Sequence, residues 1–182
     1  MPTTFTEPAD GDLAAVADLN QYAAPVNALE RWREAEDKET TPVGNVGGGE
    51  DTLLTTTIPA AAMSVDGQWA DVEACLEFAA NGNNKTAKLK YGATTLYDSG
   101  AVAQNGGCLV LRGRIYRTGA TTQRWHLTAI PSTGGALVVT AGSGTAAETL
   151  SGAVNLVVTG ESAAGADGDV SARSLAVTWR PA

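Results

Sequence analysis

Asp71-Val72-Glu73-Ala74-Cys75-Leu76-Glu77-Phe78 is the stretch that decides the fold, because Val72, Ala74, Leu76 and Phe78 alternate with acids and a thiol. Period-two alternation marks a strand with one buried face and one facing water or a partner. Asn81-Gly82-Asn83-Asn84-Lys85 follows at once. It reads as a tight turn, since Asn and Gly accept the positive φ that such turns need. Residues 86–91 then place Ala87, Leu89 and Tyr91 on one face and Thr86, Lys88 and Lys90 on the other. The two runs predict a hairpin whose outer face pairs Glu73 or Glu77 with Lys88 or Lys90. Each such pair contributes only about 0.2–1 kcal/mol, so this face also reads simply as a solvated sheet surface.

The same grammar runs outward to the end of the chain. Further strands are expected at residues 52–58, 96–98, 108–117, 123–130, 136–141, 154–159 and 170–179, separated by clusters of Gly, Asn, Ser or Pro. Their number and spacing predict a mainly β domain over residues 51–182, an antiparallel jelly-roll-like β-sandwich. The chain has 182 residues, 43% of them hydrophobic, with 21 glycines and only two phenylalanines. That supports one domain with a real core plus an appendage, packed compactly rather than around large pockets.

Residues 1–50 read differently, as a short helical N-terminal arm ending in a glycine-rich linker. Residues 1–9 are expected to be extended. Leu13, Val16 and Leu19 recur at helical spacing, and Val26, Leu29 and Trp32 repeat it after Pro25. The second helix is expected to run through Glu30-Arg31-Trp32-Arg33-Glu34-Ala35-Glu36-Asp37-Lys38-Glu39, where charges stand three or four apart. Thr40-Thr41-Pro42 and then Gly44, Gly47, Gly48 and Gly49 end it. Helices this short cannot bury their stripe alone. Leu13, Val16, Leu19, Val26, Leu29 and Trp32 are therefore the expected docking contacts, with the head, sister subunits or a larger assembly as the surface they meet.

The net charge of -8 is unevenly placed. Ten acids and three bases fall in residues 1–50, against ten acids and nine bases in the remainder. Nucleic-acid binding is not expected, because neutralising phosphates needs a basic face, and the cluster Arg112, Arg114, Arg117 and Arg124 is the one local exception. No run approaches the roughly 18 apolar residues of a membrane span, and the N-terminus lacks a basic start with an apolar run, so neither insertion nor export is expected.

Catalytic signatures are missing: there is no Gly-x-Ser-x-Gly elbow, P-loop or dinucleotide fingerprint. His126 is the single histidine, on a strand beside Trp125 and Leu127, and reads as structural. Cys75 and Cys108 lie far apart in sequence, have no metal-ligand spacing and read as free, packed thiols, with a disulfide open only if their strands are neighbours with Cα atoms within about 7 Å. No cofactor, metal or catalytic residue is expected. A carboxylate pair for glycoside hydrolysis would need two of Asp66, Asp71, Glu73, Glu77 and Asp98 to converge in space, and scattered as they are they read as the acids of an ordinary soluble sheet. Tyr116 beside Arg114 and Arg117, near Arg124, is the best surface candidate, either for stacking and pinning a sugar or for a contact between subunits.

The turns Asn81-Gly82-Asn83-Asn84-Lys85, Asp98-Ser99-Gly100, Asn105-Gly106-Gly107 and Arg117-Thr118-Gly119, with the strand Lys88-Leu89-Lys90-Tyr91-Gly92, resemble a β domain of tailed-bacteriophage virion proteins. Residues 154–160 and 177–179 resemble its closing hairpin, so the likeness covers about residues 52–180. The stretch from Ala17 to Glu30 is similar to N-terminal segments of phage fibre and appendage proteins. The resemblance implies a non-enzymatic virion protein, a short fibre, decoration or adaptor, made in the host cytoplasm and carried on the virion. It further implies a homotrimer docked to capsid or tail proteins, and it leaves a host-surface glycan as the alternative partner of the head. The chain departs from a full receptor-binding fibre in having no long shaft repeat.

Overall fold

The computed structural model describes residues 35–132 and 136–179, and every regular element among them is a strand. In chain order these are β1 (Ala35–Glu39), β2 (Val43–Gly44), β3 (Asp51–Ile58), β4 (Trp69–Phe78), β5 (Lys85–Tyr91) and β6 (Thr94–Asp98). Then come β7 (Cys108–Gly119), β8 (Thr122–Pro131), β9 (Thr140–Ala146), β10 (Val154–Ser162) and β11 (Val170–Trp179). The wide sheet has the order β1-β11-β4-β7-β8-β9, with β2 also against β11, and the narrow sheet has the order β3-β10-β5-β6. All pairings are antiparallel. The described residues therefore form a β-sandwich in which the late strands β10 and β11 insert beside strands formed early in the chain.

Alternation makes the core. Ala70, Val72, Ala74, Leu76 and Phe78 of β4 are buried, and so are Ala87, Leu89 and Tyr91 of β5 and Leu109, Leu111 and Ile115 of β7. Full burial of a Leu or Val side chain stabilises by about 1.5–3 kcal/mol, which makes these rows the main source of cohesion. A Cβ added at Gly160 of β10 would sit 2.8 Å from Leu53 Cδ1 and 2.9 Å from Val170 Cβ, so only hydrogen fits between β3 and β11 there.

Three expectations are corrected. Residues 71–78 and 86–91 form no hairpin: β4 pairs with β11 and β7, while β5 pairs with β10 and β6. The Asn-rich turn carries the chain from one sheet to the other, because alternation fixes the face a strand buries but not its neighbour. Accordingly Glu73 pairs with Arg112 and Glu77 with Arg173, while Lys88 and Lys90 both meet Glu50.

The helix expected to reach Glu39 is strand from Ala35, and Val43–Gly44 of the expected linker is strand as well; both lie against β11. Their charges alternate with period two as well as period four. Glu36 and Lys38 share one face as an ion pair at 3.3 Å. Asp37 points the other way and accepts the Thr57 N–H at 2.6 Å. Residues 35–39 and 43–44 are thus strands of the wide sheet. The expected docking contacts Leu13, Val16, Leu19, Val26, Leu29 and Trp32, and the helices that carry them, lie outside the described residues.

Finally, the strand expected at residues 136–141 is displaced to Thr140–Ala146. The apolar run Leu137-Val138-Val139 suggested a strand core, yet Val138 and Val139 are each 67% exposed. The true strand was masked by Gly142 and Gly144, whose bare backbone lies against the Trp125 ring.

Candidate functional site

The outer face of the wide sheet collects the side chains that β4 and β7 do not bury. Across the pair, Trp69 stands opposite Tyr116, Asp71 opposite Arg114 and Glu73 opposite Arg112, and on β8 Arg124 and His126 continue the first two rows. Asp71 takes Arg114 in a two-pronged hydrogen bond, Nη2 to Oδ2 at 2.7 Å. The Arg114 guanidinium carbon lies 3.7 Å from the Trp69 ring centroid and 6.0 Å from that of Tyr116. Tyr116 and His126 rings stand 5.5 Å apart, tilted by 38°. The Asp71 hydrogen bond holds the Arg114 pKa above its ordinary value, so this cation is permanent. The result is a strip of stacked aromatics and cations across three strands, flanked by the Glu73–Arg112 pair at 2.7 Å.

Of the four sequence candidates, Arg114, Tyr116 and Arg124 share this strip. Arg117 does not join them. Its Nε donates to Asp66 at 2.8 Å and its Nη1 to the Met63 carbonyl at 2.7 Å. Backbone bonds to Gly67 and Gln68 complete a clamp on the loop before β4. Trp125 points away from the strip and packs against the core, as do Tyr97 and the buried Tyr91 and Trp179.

An open hollow of about 490 Å³ lies beside the strip, between Asp71, Glu73 and Arg112 on one side and Ala176 and Thr178 of β11 on the other. It exists because Ala176 is too short to fill the space opposite Glu73. Cys75 and Cys108 lie on the same outer face as free thiols. Burial first, then Cys108 and the nearby acids, raise the Cys75 pKa, so its thiol stays protonated near neutrality and makes a poor nucleophile. Among the described residues no three His, Cys, Asp or Glu side chains converge to hold a metal ion.

A second polar constellation escaped the sequence reading. Lys85 is fully buried, and its Nζ donates to Asn81 Oδ1 at 2.7 Å and to the carbonyls of Gln104 at 2.8 Å, Asn81 at 3.1 Å and Asn83 at 3.2 Å. Asn81 and Asn83 in turn donate to buried Asp169 at 2.7 and 2.9 Å, and Ser162 adds a third hydrogen bond at 2.7 Å. Burial pushes the Asp169 pKa up, but hydrogen bonds from Asn81, Ser162 and Asn83 and the Lys85 charge outweigh it, and the net shift is downward. Asn45 locks the neighbouring loops by donating to the Gly47 and Ala166 carbonyls and accepting the Val170 N–H. One end of the sandwich is therefore a satisfied polar clamp. The signal in sequence was the lysine closing an Asn-rich turn, a pattern that fits a solvated turn equally well.

No family model matches the chain, and no curated protein matches it. Among solved structures, it is similar to a protein of unknown function from Shewanella oneidensis MR-1, at 8% identity and a TM-score of 0.41, with 97% of each chain covered. It is also similar to the structure of infectious bursal disease virus Gx strain, at 15% identity and a TM-score of 0.34, and to the VP2 subviral particle of that virus, at 16% and 0.33. In both viral cases 81% of this chain aligns with 33% of the other.

Proposed function

We propose that this chain is a non-enzymatic structural protein of a tailed-phage particle, a short fibre, decoration or adaptor protein. In this reading the sandwich is displayed and the N-terminal segment docks it to capsid or tail proteins. The observation that carries the reading is the strand order. The strands β1/β2-β11-β4-β7 facing β3-β10-β5-β6 follow the sequence of an eight-stranded jelly roll, with β8 and β9 widening one sheet. The Asn81–Lys85 turn and the Arg117-Thr118-Gly119 segment that ends β7, which carry the resemblance to phage virion domains, are both anchor points of that frame. The charged outer face supports display rather than burial, since its acids and arginines neutralise one another across strands.

A variant lacking residues 1–34 tests the reading, because it keeps β1 intact. The expected result is a folded sandwich that no longer joins particles assembled in its presence. Full incorporation of the truncated chain would refute docking through the N-terminal segment.

A second reading, recognition of a host-surface glycan, is favoured by the strip itself. Aromatic rings beside arginines on an exposed face are the chemistry that stacks and pins a sugar. It predicts saturable glycan binding that is lost in Tyr116→Ala with the thermal melt unchanged.

A further inference from the structure

The edge of a sheet presents unpaired N–H and C=O groups, a template for any compatible strand unless something blunts it. The sandwich has four such edges among the described residues: β1 with β2, and β9, in the wide sheet, and β3 and β6 in the narrow one. Three are blunted by different means. The edge strand β1 carries charge at four of its five positions, Glu36 to Glu39. On β3 the Thr57 N–H is capped by the Asp37 carboxylate at 2.6 Å. The third, β6, has only five residues, slips register against β5 and ends on Asp98.

The fourth edge has no such protection. Thr140-Ala141-Gly142-Ser143-Gly144-Thr145-Ala146 holds no charge and no proline, and seven consecutive residues pair with β8 without a bulge. Its residue sizes also read nearly the same in both directions about Ser143. Gly142 mirrors Gly144, Ala141 mirrors Thr145, and Thr140 mirrors Ala146. A two-fold axis sets a strand against an antiparallel copy of itself, so here every small residue meets a small residue. One step further along, exposed Val139 mirrors exposed Ala147, and apolar surface meets apolar surface. A foreign strand added to a sheet edge is selected through side-chain pockets between alternate residues, which glycine, alanine and serine do not supply. Self-pairing needs none, because the sequence is its own complement.

We propose that β9 is a self-association edge: two copies of this chain pair β9 to β9 about a two-fold axis through Ser143, joining their wide sheets into one. The inference stands on strand geometry and is independent of the virion reading. It adds a pairwise contact to whatever assembly the rest of the surface makes.

The test is the mass in solution, by light scattering, of the full chain, of Ser143→Lys, of Ser143→Glu and of an equimolar mixture of the two variants. Ser143 is exposed, so either substitution leaves the core untouched. Each variant alone brings like charges together on the axis, and its assembly mass is expected to be half that of the wild type, with one 18.5 kDa chain in place of each pair. Mixing the two is expected to restore the wild-type mass, which misfolded variants would not do. Equal masses for wild type and both variants, or halved masses that mixing fails to restore, would overturn the proposal.

Discussion

The clamped end of the sandwich and the β9 edge treat their polar backbone in opposite ways. Around Lys85, Asp169 and Asn45, donors and acceptors from loops far apart in sequence satisfy one another inside the protein. Along β9 the outward backbone groups meet no strand among the described residues, and the neighbouring Val138 and Val139 are left in water. A buried polar group without a partner costs roughly 1–3 kcal/mol, so the first arrangement concerns stability. An exposed edge costs little in the isolated chain and becomes useful only when a second strand arrives, so the second concerns assembly. Substitutions at the two places should accordingly change different observables.

The largest effect is expected at Asp169. Asp169→Ala leaves Asn81, Asn83 and Ser162 without their acceptor and removes the negative charge that offsets the buried Lys85 ammonium, and should lower the unfolding free energy by about 3–5 kcal/mol in urea titration. A loss below about 1 kcal/mol would show that the clamp is not what closes that end. Next is Gly160→Val, which forces methyl groups between Leu53 and Val170 and should cost about 1–3 kcal/mol. A neutral outcome in the same titration would show that the sheets separate there without penalty.

Glu50 sharpens the comparison through pH. Its hydrogen bonds with Lys88 and then Lys90 lower its pKa from 4.5 to about 2. Because the folded value lies below the unfolded one, the stabilisation is complete above about pH 4.5 and is lost as pH falls towards 2. Glu50→Gln should therefore lower stability by about 1–2 kcal/mol at pH 7 and by much less near pH 2.5. The same penalty at both values, read from paired thermal melts, would contradict the assignment. The smallest effect belongs to the outer face, where Glu73 and Arg112 are both more than half exposed. Glu73→Gln should change stability by at most about 0.5 kcal/mol, and a larger change would mean the displayed face is part of the frame.

Much of this frame was legible in the sequence, and the failures have physical causes. Runs such as Val72 to Phe78 and Leu175 to Trp179 announce strands because burial imposes period two whatever the neighbour is. Neighbour choice is a long-range matter. Proximity in sequence matches Glu73 and Glu77 to Lys88 and Lys90, while the arginines that pair with them arrive 39 and 96 residues later. Residues 35–39 satisfy helical and strand spacing alike, and only the open flank of β11 decides between them. In the strip, Arg114, Tyr116 and Arg124 were recognisable as neighbours in type and spacing. Arg117 has the same character but opposite direction, because the strand alternates between Tyr116 and Arg117. Lys85 reads in sequence only as the close of a tight turn, since nothing local says that the Gln104 carbonyl will close over it.

The contrast between clamp and edge is tested most directly by hydrogen exchange on the full chain at low and high protein concentration. Amides of Asn45, Lys85 and Val170 should exchange slowly and at a rate independent of concentration, since their partners lie within the same chain. Protection across Thr140–Ala146 should rise with concentration as second copies cover the edge. A β9 segment whose exchange does not depend on concentration, or a clamp whose protection does, would contradict the account.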